Sequence, residues 1–172
     1  MTETPQQYTA RMMSNIAGQE PMKVLAATPK KIERLLKSAG PAKLKKRPAP
    51  GKWSVAEIVA HLADAEIVLG YRVRTILGAP GTPIQAFDQD MWAEAGRYGQ
   101  RNPRVSLEQL RALREANIAL YKSLTPEQWK HYGMHSERGQ ESVEHIARMM
   151  AGHDLNHLQQ MERILEPKKS KG

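Results

Sequence analysis

The chain has 172 residues, 40% of them hydrophobic and none of them cysteine. This suits one domain with its own core and excludes a disulfide framework, a thiolate zinc site and a cysteine nucleophile. The formal net charge is +8, but residues 41–50 carry +4 of it and residues 166–172 another +2; one cluster lies among prolines and the other in a basic C-terminal tail over 167–172, so a nucleic-acid partner is not expected.

Other exclusions follow from patterning. No apolar run approaches the ~18 residues of a membrane span. The Met-Thr-Glu-Thr-Pro start has neither the basic nor the apolar region of a signal peptide, so a cytoplasmic protein is expected. Basic and aromatic residues do not interleave as a base-stacking platform requires.

Helical spacing dominates the chain. A short amphipathic piece carries Tyr8, Met12 and Ile16 and ends near Gly18–Pro21. From there Met22, Leu25, Pro29, Ile32 and Leu36 step by three and four, which is one helix face. Pro29 either kinks this first long helix or opens a second segment capped by Thr28. Ser54 with Glu57 forms a capping box for the second long helix. Its stripe is Val55, Ile58, Leu62, Ala65, Leu69, Val73 and Ile76, and Gly78, Pro80 and Gly81 end it. Residues 78–105 hold no strong element beyond a short helix within Asp88–Arg97.

Ser106 with Gln109 is expected to open the third long helix, with Leu107, Leu110, Leu113, Asn117, Leu120 and Leu124 on its face. Thr125 with Gln128 predicts a short turn of helix through Lys130. The fourth long helix begins near Ser142 and stops at Pro167, with Val143, Ile146, Met150, His153, His157, Met161 and Ile164 in its stripe. No strand pattern competes. The expected fold is an all-α four-helix bundle in one domain over residues 1–166.

The connection of about 28 residues between helices two and three is long for adjacent antiparallel helices. A helix of about 24 residues is ~36 Å long, and about 11 extended residues can run back that distance. Helices two and three can therefore be parallel, joined by a crossover. That gives an up-down-down-up bundle.

The chemistry centres on histidine. His153 and His157 are one turn apart on one helix face, a spacing that lets two imidazoles bind one metal ion. His61 lies about 10 Å from the start of helix two, and His157 about 13 Å from the end of helix four. Antiparallel packing of those two helices would bring them to similar depth. Asp154 stands where a His-Glu-x-x-His metalloprotease motif has glutamate, which disfavours a peptidase.

Several segments resemble the DinB/YfiT-like metalloenzyme family. They are Pro48-Ala49-Pro50-Gly51-Lys52-Trp53-Ser54, the run Val55 to Glu66 with His61 inside it, Phe87-Asp88-Gln89-Asp90-Met91-Trp92, and Gly152-His153-Asp154-Leu155-Asn156-His157-Leu158. The resemblance covers roughly residues 8–166. It implies an up-down-down-up four-helix bundle with a divalent metal on His61, His153 and His157. Three imidazoles suit Zn²⁺, Ni²⁺ or Mn²⁺ and leave a position open, as catalytic sites do.

The resemblance further implies one of two chemistries. The first is transfer of a low-molecular-weight thiol of the bacillithiol or mycothiol type to an electrophilic small molecule. The second is hydrolysis by metal-bound hydroxide. A non-enzymatic metal-binding stress-response protein is a third reading, and a homodimer is a further expectation.

Around the metal, Glu57 and Asp64 flank His61 and are candidates to accept its second N–H. Asp154 is a candidate base or supporting group. Surface placement is the plainer expectation for Glu57 and Asp64, and a solvent-facing or salt-bridged position for Asp154. Asn117 reads as a satisfied core amide. His131, His135 and His145 read as structural or surface residues, and Arg72, Arg74 and Arg148 as helix-surface residues, with anion binding as the lesser alternative. Trp53 and Trp92 read as packing anchors, with Phe87 and Trp92 candidates to cover the metal mouth.

Overall fold

The structure is a computed structural model that describes residues 3–166. Pro167 and the basic tail lie outside the described residues. Helix α1 (Pro5–Asn15) is the short amphipathic piece, started by a Thr4–Gln7 capping box. The four long helices are α2 (Pro21–Lys37), α4 (Val55–Gly78), α6 (Pro103–Ser123) and α8 (Val143–Leu165). Short helices α3 (Pro41–Lys45), α5 (Gln89–Ala95) and α7 (Pro126–Lys130) lie in the connections.

Packing fixes the directions of the long helices. Val24 and Leu25 of α2 share one core cluster with Val73 and Ile76 of α4, Tyr121 of α6, and Val143 and Ile146 of α8. Ile32 and Leu36 share the other cluster with Val55 and Ile58, Leu107 and Leu110, and Leu158 and Met161. Early α4 therefore meets early α6 but late α8, and early α2 meets early α8. This is the up-down-down-up arrangement, with α4 and α6 parallel across the crossover.

Pro29 neither breaks nor splits α2, which runs through it. The Thr28 hydroxyl donates to the Val24 carbonyl at 3.0 Å. Proline has no N–H for the carbonyl four residues back. That carbonyl, on Leu25, accepts instead from Nη1 of Arg114 at 2.9 Å.

Two expectations for α6 are corrected. It starts at Pro103 behind Asn102, whose side chain accepts from the Arg104 N–H at 3.0 Å. Asparagine followed by proline at the first helical position outranks the Ser106–Gln109 pair one turn later. Its buried line runs through Leu107, Leu110, Arg114, Asn117 and Tyr121; a paired arginine takes the core place expected of Leu113, while Leu120 and Leu124 pack partly buried against the core.

The absence of strands is also corrected. Strands β1 (Pro83–Ile84), β2 (Tyr132–His135) and β3 (Gly139–Ser142) form a small sheet in that order. β1 pairs parallel to β2, and β2 antiparallel to β3, with His135 opposite Gly139. A Cβ on Gly133 would stand 2.6 Å from Ile84 Cδ1, so glycine lets the two strands close. Segments of two and four residues are too short to show the alternation by which strands are read.

The basic segment near residue 45 is not simply solvated. Arg47 pairs with Glu57 at the start of α4, and Lys43 donates to the Leu165 carbonyl at 2.8 Å. No helix among the described residues is long and apolar enough to cross a membrane.

Candidate metal centre

His61 comes from α4, and His153 and His157 come from α8, 92 residues and more further on. The antiparallel contact of these helices brings all three together, and each is at most 8% exposed. Nε2 of His153 lies 3.0 Å from Nε2 of His61 and 3.1 Å from Nε2 of His157. One ligand atom from each falls within 4.8 Å of the others. Two nitrogens at ~2.05 Å from one tetrahedral zinc would be about 3.3 Å apart, close to these spacings.

The ring chemistry fits a cation. Burial, and then the charge of neighbouring His157, holds His61 well below the usual histidine range. Burial and the charges of His157 and His61 do the same to His153. His157 is pushed down to about 4, chiefly by burial. All three are therefore neutral at pH 7. His157 Nδ1 is 3.0 Å from Gln160 Oε1. An amide oxygen only accepts, so Nδ1 carries the proton and Nε2 presents a lone pair. Three neutral imidazoles gathered at one buried point are a donor set that could hold a metal ion.

Local sequence explains the close approach. Helix α1 crosses α8 at Gly152, where a Cβ would meet the Met12 carbonyl oxygen at 1.9 Å. Glycine before His153 is thus required for α1 to cover this end of α8. Trp53, half-buried before α4, packs its ring 4.8 Å from the His61 ring.

The three carboxylate candidates are placed elsewhere. Glu57 is buried in the capping box, accepts from the Ser54 N–H at 2.8 Å and pairs with Arg47. Asp64 is buried and pairs with Arg101 at 2.8 Å. His61 Nδ1, which either was expected to receive, has no partner among the described residues. Neither carboxylate is on the surface. Asp154 is buried in an ion pair with Arg114 at 2.6 Å, so of its two expected placements the salt bridge is found and the solvent-facing one is not. The group that does orient a ligand is Gln160, one turn beyond His157 at i+3. That spacing was readable in the sequence.

His61 and His153 open into a cavity of about 530 Å³ bordered also by Ala65, Leu69, Arg72, Phe87 and His135. Phe87 from the crossover lines this cavity. Trp92 is 40% exposed and packs on Phe87 at 5.2 Å without lining it. Arg72 is not a surface residue: it is 5% exposed and donates to the Gln85 carbonyl. Arg74 is part-buried and donates to Asn117 at 2.6 Å. Asn117 is the satisfied amide expected, donating to Glu66 at 2.8 Å. His145 serves the start of α8 through its N–H on Ser142 Oγ at 3.1 Å. His131 ends α7, and its carbonyl accepts from the Val143 N–H at 2.9 Å.

An up-down-down-up bundle with three histidines gathered on two antiparallel helices defines a class. Residues 25–161 match the DinB superfamily, and the chain belongs to it. It is 26% identical over 129 residues to the putative metal-dependent hydrolase OB0413 of Oceanobacillus iheyensis, spanning 74% of this chain and 73% of that one. YfiT from Bacillus subtilis, described as a probable metal-dependent hydrolase with an unusual four-helix bundle topology, superimposes with a TM-score of 0.74 at 23% identity over 94% of this chain and 89% of its own. The mycothiol-dependent maleylpyruvate isomerase gives 0.55 at 13% identity over 84% of this chain and 56% of its own. At these identities the two structures bear on the fold.

Proposed function

We propose that this chain is a metal-dependent enzyme that joins a low-molecular-weight thiol to an electrophilic small molecule at His61, His153 and His157. A divalent ion held there would deprotonate a coordinated thiol, supplying a nucleophile that the cysteine-free chain lacks. The chain's own residues do the rest. The three imidazoles stay neutral through burial, Gln160 fixes the tautomer of His157, and Ala65, Leu69 and Phe87 shape the adjoining cavity.

The observation that carries this reading over hydrolysis is the state of the carboxylates. Glu57, Asp64 and Asp154 are each engaged by an arginine. A hydrolase ordinarily wants a positioned base to take a proton from water, whereas a metal-held thiolate needs none. The fold similarity to a mycothiol-dependent isomerase supports the same choice. The names of the sequence relatives favour hydrolysis and make it the second reading.

The test starts with metal analysis of the purified protein and of His61→Ala and His153→Ala. The wild type should hold close to one ion per chain and both variants far less. Near-stoichiometric metal in the variants would remove the site. Loaded protein is then given bacillithiol or mycothiol with monobromobimane, and in parallel a panel of esters and amides. Metal-dependent acceleration of thiol consumption is expected. Ester or amide cleavage without it would establish the hydrolase, and neither activity would leave a metal carrier.

A further inference from the structure

Arg72 is a buried cation with no carboxylate at ion-pair distance among the described residues. Its one hydrogen bond is to the neutral Gln85 carbonyl, and its guanidinium sits over the Phe87 ring at 5.7 Å. Burial lowers its pKa to about 10, and the positive charge of Arg138 pushes the same way. Glu141, whose negative charge acts on it, is already taken by Arg138 at 2.6 and 3.1 Å. An unpaired buried charge is costly and is retained where something must bind it.

A second donor, His135 on β2, lines the same cavity as Arg72 and is 3% exposed. Its Nδ1 accepts from the Glu137 N–H at 3.1 Å, so in the neutral ring Nε2 carries the proton. That Nε2–H has no partner among the described residues. The acids bordering the cavity do not supply one. Glu3 is paired with Arg11, Asp88 caps α5, and Asp90 and Glu137 are exposed.

Position relates this pair to the metal centre. His61 and Arg72 are eleven residues apart on α4, about three turns and ~16 Å, so they share one helix face. Ala65 and Leu69 lie on that face between them and line the cavity too.

We infer that Arg72 and His135 form an oxyanion subsite at the far end of the cavity. It holds a carboxylate or phosphate group of an elongated substrate whose apolar body lies over Ala65 and Leu69 and whose reacting end reaches the histidines. The placement of the reacting end rests on the function proposed above; the subsite itself does not.

The test is a binding measurement on the full chain, chelated and metal-loaded, with ionic strength held constant by KCl. Inorganic phosphate and succinate are titrated separately by calorimetry. Saturable binding of at least one is expected, and the preferred probe tells phosphate from carboxylate. Arg72→Met should weaken that binding at least tenfold while leaving the melting temperature equal or higher, because it removes an unpaired buried charge. A purely structural Arg72 would show the reverse: a lower melting temperature and unchanged binding. Should Arg72→Met fail to fold, Arg72→Lys and His135→Phe carry the test, each expected to weaken the same probe. Binding of neither probe by the wild type, or binding that survives in these variants, overturns the subsite. Because the chelated protein is included, loss of the metal reading leaves this result interpretable.

Discussion

His153 and Asp154 are consecutive residues of α8, yet they belong to two different buried polar clusters. Asp154 joins Arg114, Glu66 and Asn117 in a network whose members have partners. Arg114 bonds to Glu66 at 2.8 Å, to Asp154 at 2.6 Å and to the Leu25 carbonyl at 2.9 Å. One guanidinium thereby touches residues from α2, α4 and α8 while standing on α6. His153 joins His61 and His157, where neutral nitrogens face one another and His61 Nδ1 has no partner. The first cluster is closed by ion pairs within the chain, whereas the second gathers neutral donors that could hold a metal ion. Satisfaction, more than burial or polarity, separates a structural cluster from a binding one.

The sharpest way to break this comparison is Arg114→Met. It leaves Glu66 and Asp154 buried without a counter-charge, and about 3–5 kcal/mol of folding stability should go. Urea denaturation reads this directly; a neutral result would mean that the closed cluster does not hold the bundle together.

Acid should strike the other cluster. In the metal-free protein His157 titrates near 4 when folded and near 6.5 when unfolded. The unfolded chain therefore takes the proton first. Stability is unaffected at pH 7, falls as pH drops through 6.5, and levels off below about 4. The loss from His157 alone is ~3 kcal/mol. Glu66, raised by burial, pulls the other way. The difference between wild type and His157→Gln across pH 7 to 4 isolates the histidine; identical profiles would contradict its burial as a neutral ring.

Gln160→Ala should have the smallest effect and a selective one. It removes the acceptor that orients His157, so metal affinity should fall about 10–100-fold. Folding stability of the metal-free protein should hardly move, since the site is part-buried. Competition with a chromophoric chelator gives the affinity, and an unchanged value would reduce Gln160 to a bystander.

Much of this was legible in the residues. Stripes of period 3.6, capping boxes at Ser54 and Thr125 and the length of the crossover carry the bundle and its topology, because each depends on local geometry. The histidine triad was legible because two ligands share a helix face and the third falls at matching depth. Arg72 and Asp64 were misread as surface residues, and the cavity beside His135 was not foreseen, for a common reason. Their environment is set by chain segments far away in sequence: the crossover, the small sheet and Arg101. No local pattern reports whether a charged residue at the edge of a stripe faces water or a cavity. Gln160 was missed for a different reason, since its i+3 spacing from His157 carries a local signal that went unused.

Pro29 carries a consequence for how the molecule assembles. A helix with an interior proline lacks one of its own bonds, and here the vacancy is filled by a side chain 89 residues away. Helix α2 by itself is therefore an incomplete helix, and its integrity is conferred when α6 docks. Forming secondary structure and forming tertiary contacts become one event at this point in the chain. A half-assembled bundle would have to bury an unpaired carbonyl on α2 and an unpaired guanidinium on α6 together. Such coupling discourages partly folded states and favours all-or-none folding.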